Sequence, residues 1–473
     1  MMRWVDIKKS LSEFWYDFRR QKSGLLGLLL LFLFIFTAVT APVLTSPDIP
    51  QKWQGFWLDN PKNVPPTWIN TLSSQSMAPH LTITGEELQK LITKTDSGYL
   101  IKVSYNNEYD IPPQDVVIKD LTGDASGGKL SISVMVERPD GRKITLLENY
   151  KFSGSIVLQL GSQPQVRDNL IKWAKEEGIY VDPLQEFQYK TLMDATKVIF
   201  GELNEDIFER PKPLTGTYTF TIIINVPEGS SASFENAKVI FTGRTYGKLG
   251  TDFKGRDILS GIIWGSRVSL VIGISVAVFS VIIGIFYGVT SAYLGGWSDE
   301  MMMRFQEFMA SIPSLPILIL MGAYFGGHIK LWQIVVLLVI FGWVGIARVA
   351  RSMALQIKEQ VYVEAARVLG AGTGRIIFRH MVPQLLPYAF AQMALSVPSA
   401  VLSEASLSYL GLGDPTAVTW GQILHDAQVA GAAVNGYWWW VIPPGLAIAL
   451  VGLTFVLIGT ALDRVLNPRL RRL

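Results

Sequence analysis

Long runs of apolar residues decide what this chain can become. The first, Gly24 to Leu44, is about 20 residues long, enough to cross a bilayer's hydrocarbon core as a helix and longer than the apolar stretch of a cleaved signal peptide. It reads as a retained anchor. Five more runs crowd together after Arg267: Val268 to Tyr293, Phe308 to Phe325, Leu331 to Ala347, Leu385 to Leu407 and Trp439 to Leu462. Six membrane crossings are therefore expected. A chain with 49% hydrophobic and only 17% charged residues fits that class and not an ordinary soluble protein.

The formal net charge of +3 supplies no global basic field, so no nucleic-acid partner is implied. The placement of the basic residues says more. Lys8, Lys9, Arg19, Arg20 and Lys22 precede the first run; Arg348, Arg351, Lys358, Arg367, Arg375 and Arg379 lie between the fourth and fifth; Arg464, Arg469, Arg471 and Arg472 follow the last. The positive-inside rule then puts both termini and the fourth-to-fifth loop in the cytoplasm. Residues 1–23 carry Trp4, Ile7, Leu11, Phe14, Trp15 and Phe18 at helical spacing, which suits an amphipathic helix on the bilayer surface or against another subunit. In the second run, Gly284, Gly288 and Ala292 form a small-xxx-small series that predicts close packing against another helix. Pro313, Pro316 and Pro398 mark places where spans can break or kink.

Residues 45–247 are polar and numerous enough to bury a core of their own. Joined to the first and second spans, they are expected outside the cell. Thr84-Gly85-Glu86-Glu87 reads as a capping box, Leu130 to Glu137 and Lys143 to Leu147 as a hairpin about Asp140-Gly141, Val166 to Glu177 as an amphipathic helix, and Thr217 to Val226 as a strand. The expected inserted domain is α+β and strand-rich.

The chemistry-bearing segment lies in the cytoplasmic loop, residues 351–384. Tyr362-Val363-Glu364-Ala365-Ala366-Arg367-Val368-Leu369-Gly370 predicts a helix ended by glycine. Thr373 to His380 predicts a second short helix, capped by Thr373 and stopped before Pro383. Two short helices at a glycine turn make a knob, with Ala365 and Ala366 small enough to seat in a groove and Glu364 with the arginines as charge at its rim.

This loop resembles the Glu-Ala-Ala loop of ABC importer permeases. Other stretches resemble the C-type permeases of dipeptide and oligopeptide importers: Phe18-Arg19-Arg20-Gln21-Lys22, Ala41-Pro42, Gly250-Thr251-Asp252, Gly255-Arg256-Asp257, Gly265-Ser266-Arg267-Val268-Ser269-Leu270, Glu404 to Gly413, Trp420-Gly421, Pro444-Gly445 and Asp463-Arg464 with Asn467-Pro468-Arg469. The resemblance implies an all-α polytopic protein of the type I importer permease fold, with residues 248–473 as its core and residues 45–247 as an insertion without counterpart in the family. Asn467 stands where the family commonly has Asp. By the same resemblance, Glu364, Ala365, Ala366, Arg367, Gly370, Arg375, His380 and Pro383 form the ATPase-coupling loop. Asp252, Arg256, Asp257, Arg267 and Glu404 form an outer gate or cavity rim. The implied partners are a second homologous permease, two ATPase subunits holding ATP and magnesium, and an extracellular substrate-binding protein, all around a lipid bilayer. The implied cargo is a peptide, with oligosaccharide or nickel as alternatives. The chain itself is then a transport subunit without cofactor, not an enzyme.

Other readings are weaker. Gly123 to Lys129 has phosphate-loop spacing, but Leu130 stands where a magnesium-binding Ser or Thr belongs. His80, His328, His380 and His425 are scattered, and Cys is absent, so neither a metal cluster nor a disulfide is suggested. A secondary transporter would want inverted repeats or buried charge pairs in the spans, and a sensor would want a signalling module. Neither is visible.

Overall fold

The computed structural model describes residues 14–466 and divides into two compact units, Met1–Phe56 with Ile258–Leu473, and Trp57–Asp257. Trp4, Ile7, Leu11, Asn467, Arg469, Arg471 and Arg472 lie outside the described residues.

The first unit is helical. Among the described residues, five helices are long and apolar enough to cross a membrane: α1 (Lys22–Leu44), α5 (Ile258–Leu294), α8 (Leu331–Lys358), the helix Thr373–Tyr409, and α13 (Trp438–Leu466). The expected span over Phe308 to Phe325 is instead a bent pair, α6 (Gly296–Ser311) and α7 (Ser314–Tyr324), turning by 74°. Pro313 explains the break. A residue before proline is pushed out of the helical region, and Ile312 is extended at φ −78°, ψ 120°.

Glycines set how closely these helices pack. A Cβ at Gly284 would stand 2.9 Å from the Trp343 carbonyl oxygen, and one at Gly288 would stand 2.3 Å from that of Ala347, so the small face of α5 lies directly on the backbone of α8. Gly27 of α1 meets the Thr454 carbonyl oxygen of α13 in the same way, at 3.0 Å. Phe18 is buried against Ala461 and Val465, so the described end of the N-terminal segment packs on this chain's own last span.

The membrane unit holds on to more of its flanking chain than hydropathy suggests. Residues 45–56 remain with it: Ile49 and Trp53 are buried, the Trp264 indole donates to Thr45 Oγ1 at 2.8 Å, and Gln54 donates to the Pro415 carbonyl at 2.8 Å.

The second unit is a pair of antiparallel five-stranded sheets. One runs β1 (Leu81–Thr84), β10 (Lys238–Thr242), β4 (Asp115–Asp124), β7 (Gly154–Gln159), with β9 (Ser231–Ser233) also on β4. The other runs β2 (Ile92–Thr95), β3 (Gly98–Asn107), β8 (Gly216–Asn225), β5 (Leu130–Glu137), β6 (Lys143–Phe152). Alternation dictates the layers: Tyr218, Phe220, Ile222 and Ile224 of β8 point inward and are buried, while the residues between them are half-buried. Residues from both sheets and from α2 (Pro164–Glu176) share one core, where Phe241 stacks on Tyr105 at 4.3 Å and meets Phe220 edge-on at 5.4 Å.

One local expectation fails here. Thr84 precedes the one-turn helix Gly85–Gln89, but no side-chain cap bond forms. Thr84 is also the last residue of β1, and its hydroxyl donates to the Ala237 carbonyl instead. The glycine-rich turn after β4 is filled by its own chain: a Cβ at Gly127 would collide with the Glu228 carbonyl oxygen at 1.8 Å, and the Gly127 amide donates to Ser230 Oγ. Its glycines serve a close backbone crossing, not a phosphate.

Candidate functional site

The Glu-Ala-Ala segment is α9 (Val361–Val368), and its end is built by glycine. Gly370 sits at φ +78°, its amide donates to the Arg367 carbonyl at 3.0 Å, and the Ala371 amide reaches back to Ala366 at 3.0 Å. These are the two bonds of a Schellman turn, which only a left-handed residue closes without strain. Val363 is fully buried and joins Ile376, Ile377 and Met381 in a core with Val281, Ile285 and Val289 of α5 and Ile346, Ala350 and Ala354 of α8. The elbow is thus anchored on the inside. Its outside is bare: Glu364, Ala365, Arg367 and Gly370 are exposed, Ala366 is half-buried, and Val361, Val368 and Leu369 are exposed at 81–86%.

The second short helix does not stop before Pro383. α10 (Thr373–Ile376) passes through a π turn, Ile377–Met381, straight into α11 (Val382–Tyr409). Proline offers no amide donor, and it is tolerated in the first turn of a helix, where Pro383 lies. Thr373 makes no cap; Gly372 holds that position. Arg375 and Arg379 are exposed, and His380 is half-buried within the π turn.

Charges tie the elbow to the spans. The Arg367 guanidinium lies 5.6 Å from the Tyr293 ring centre, at the end of α5. Lys358 donates to the Ala292 carbonyl at 3.0 Å. Arg351 grips Asp299 of α6 with both arms, at 2.7 and 2.5 Å, while Asp299 also accepts from the Ser291 hydroxyl. One carboxylate therefore clamps α5, α6 and α8 together just ahead of the elbow. Asp299 and Tyr293 escaped the sequence reading because nothing in their neighbourhood forms a motif.

The residues expected at an outer rim belong to both units. In the strand-rich unit, Asp252 and Arg256 are buried at 1% and 0% and pair with each other. Asp252 also accepts from the amides of Lys254 and Arg256 at 2.8 and 2.9 Å. Burial pushes its carboxyl up, against the pull of the Arg256 guanidinium. The pair holds a turn that Asp257 closes by bridging Thr251, with Gly255 (φ +78°) fitted against the carbonyls of Trp57 and Asn60. In the helical unit, Arg267 is exposed beside Trp264, at 5.8 Å. Glu404 is buried at 1% on α11 and accepts from the Ser408 hydroxyl, one turn further along the same helix, at 2.8 Å. Among the described residues, no group of three or more His, Cys, Asp or Glu is arranged to hold a metal.

Residues 255–472 match the family of binding-protein-dependent transport system inner membrane components, and residues 10–66 match the N-terminal TM domain of oligopeptide transport permease C. The dipeptide transport system permease protein DppC of Bacillus subtilis (strain 168) is 38% identical over 225 residues, 47% of this chain and 69% of that protein. The chain belongs to this family of ABC importer permeases. The oligopeptide transport system permease protein OppC of the same organism is likewise 38% identical, over 47% of this permease and 72% of its own length. Among solved structures, inward-facing conformations of the MetNI methionine ABC transporter align at 20% identity and a TM-score of 0.37, covering 44% of this chain and 96% of that one, too distant to bear on its geometry. Neither family match reaches residues 67–254, most of the strand-rich unit of the permease.

Proposed function

We propose that this permease supplies half of the pore of an importer for dipeptides or oligopeptides, with its elbow at residues 361–383 taking up motion from separate ATPase subunits. The family and the names of the relatives support the cargo. The observation that carries the mechanism is the elbow's two-sidedness. An outer surface of small and apolar residues, Ala365, Val368 and Leu369, is fixed through Val363 to the helices of the bundle, so a body seated on it displaces those helices and not a loose loop. A second permease completes the pore, two ATPases lie beneath, and a binding protein delivers cargo from outside. The termini face the cytoplasm, as the basic clusters direct. The permease assembled with its partners in proteoliposomes is expected to accumulate a labelled di- or oligopeptide with ATP inside the vesicle compartment that the ATPases face, and none with a non-hydrolysable analogue. Uptake of oligosaccharide or nickel but no peptide would overturn the cargo.

The strand-rich unit belongs, in this reading, outside the membrane, where it helps to dock or cover the binding protein. Its independent core supports a self-contained attachment. Replacing residues 57–257 by a short linker is expected to weaken binding-protein affinity for the assembled complex at least tenfold, measured by surface plasmon resonance in nanodiscs; an unchanged affinity removes this role.

A further inference from the structure

Gln392, Ser396, Ser399, Ser403 and Ser406 follow one another along α11 at intervals of four, three, four and three residues. At 3.6 residues per turn they fall within an arc of roughly 80°. A span set only against lipid has no use for such a stripe; polar groups within spans face protein or water. Three of these serines, Ser396, Ser399 and Ser403, line a cavity of about 230 Å³ that is also lined by Ser280 of α5, Ser314 of α7 and Gly342 of α8. That volume is far above the ~15 Å³ that admits a single water.

An independent observation points into the same cavity. Ser280 is 2% exposed and its hydroxyl has no hydrogen-bond partner among the described residues, a costly state for a buried polar group. Helical serines usually donate to their own backbone, as Ser399 does to Ser396 at 2.8 Å and Ser403 to Ser399 at 2.7 Å. Ser280 does not. Room for its hydroxyl comes from Gly342, where a Cβ would stand 2.4 Å from Ser280 Oγ. Ser314 opens α7 just after the break at Ile312-Pro313, where the first amides of a helix lack partners and no side chain caps them. The cavity thus offers hydroxyls from three helices beside the apolar side chains of Val276, Leu318, Leu338, Phe341 and Ala400, and carries no charged residue on its wall.

We propose that this serine-lined cavity is a stretch of the aqueous route through which cargo crosses, and that its hydroxyls bind the main chain of an extended peptide. Ser399 and Ser403 spend their protons on their own helix, which leaves lone pairs for peptide N–H groups; Ser280 retains a proton for a peptide carbonyl. An uncharged wall does not select cargo side chains by the sign of their charge, which suits the passage of varied sequences. The ligand class rests on the peptide reading above, whereas the water route does not.

The absence of cysteine from this chain simplifies the test, since a single introduced Cys is the only one it carries and labelling is read on this subunit alone. Ser396→Cys, Ser399→Cys and Ser403→Cys, each in the complete transporter, are compared with Leu33→Cys and Leu453→Cys at outward-facing sites near the middle of α1 and α13. The probe is a charged, membrane-impermeant methanethiosulfonate, which reacts with thiolate and therefore needs water. During ATP turnover the serine positions are expected to react at least tenfold faster than the leucine positions, and saturating peptide cargo to slow them. Equal rates would show a packed interface and overturn the route. Fast labelling that no imported peptide slows would retain the route and overturn the ligand. Should a Cys variant fail to assemble, Ser399→Leu is expected to cut uptake at least tenfold while Ser399→Thr preserves it; indifference to both also overturns the proposal.

Discussion

Gly370→Pro is expected to abolish substrate-stimulated ATP hydrolysis in the assembled transporter, a loss of at least tenfold, while the permease still inserts in the membrane. Gly370 holds φ at +78°, and proline fixes φ near −65° and removes the amide that donates to Arg367. Even a residue other than proline would carry roughly 1–2 kcal/mol of left-handed strain there, although a Cβ at Gly370 meets nothing within 4 Å. The penalty is therefore one of backbone conformation alone. Gly372 and Gly374 provide the contrast: neither would crowd a neighbour with a Cβ, and Gly372 sits at an ordinary φ of −65°. Gly372→Ala is expected to couple normally. Glu364→Lys probes the same surface by charge, reversing an exposed carboxylate without touching the buried anchor Val363. Basal and stimulated ATPase rates, read beside the amount of assembled complex, separate coupling from assembly. Normal stimulation in both Gly370→Pro and Glu364→Lys would end the coupling assignment.

Gly288→Leu is expected to prevent folding of the helical unit. A Cβ at this position would stand 2.3 Å from the Ala347 carbonyl oxygen and 2.7 Å from the Arg351 amide nitrogen, both backbone atoms that no rotamer change can move. Overpacked cores lose about 1–3 kcal/mol when side chains can adjust; here two helix backbones must separate, so the cost exceeds that range. Separation also pulls Arg351 away from Asp299, leaving a carboxylate of 13% side-chain exposure without its guanidinium. Gly345 on α8 is the control, since a Cβ there meets nothing within 4 Å, and alanine improves helix propensity by up to ~1 kcal/mol. Thermal unfolding in detergent should show Gly345→Ala at or above the parent midpoint and Gly288→Leu without a cooperative transition. A parent-like midpoint for Gly288→Leu would mean that the α5–α8 contact is not made.

The elbow shows how far linear patterns reach. Gly370 at the end of a short amphipathic run was enough to locate a helix and its stop, because a Schellman turn is a local device whose signal lies within a few residues. The continuation past Pro383 was not legible: proline reads as a stop wherever it occurs, and only the π turn before it shows that the helix passes through. The bare face of Val361, Val368 and Leu369 was hidden for a similar reason. Apolar residues on a short helix are expected inward, and which of them lacks a partner depends on where the neighbouring spans lie.

What the residues alone determined were the membrane class, the number and order of apolar runs, the glycine face of α5, the hairpin about Asp140-Gly141, and a family resemblance that the comparisons bear out. Each rests on short-range periodicity or a contiguous motif, and such signals survive without knowledge of the fold. Tertiary structure decided the rest. It paired Asp252 with Arg256 in a buried turn, joined Asp299 to Arg351 across 52 residues, and gathered serines from α5, α7 and α11 around one cavity. Burial and charge pairing depend on what stands opposite a side chain, and the chain brings that neighbour from a distance no local pattern records.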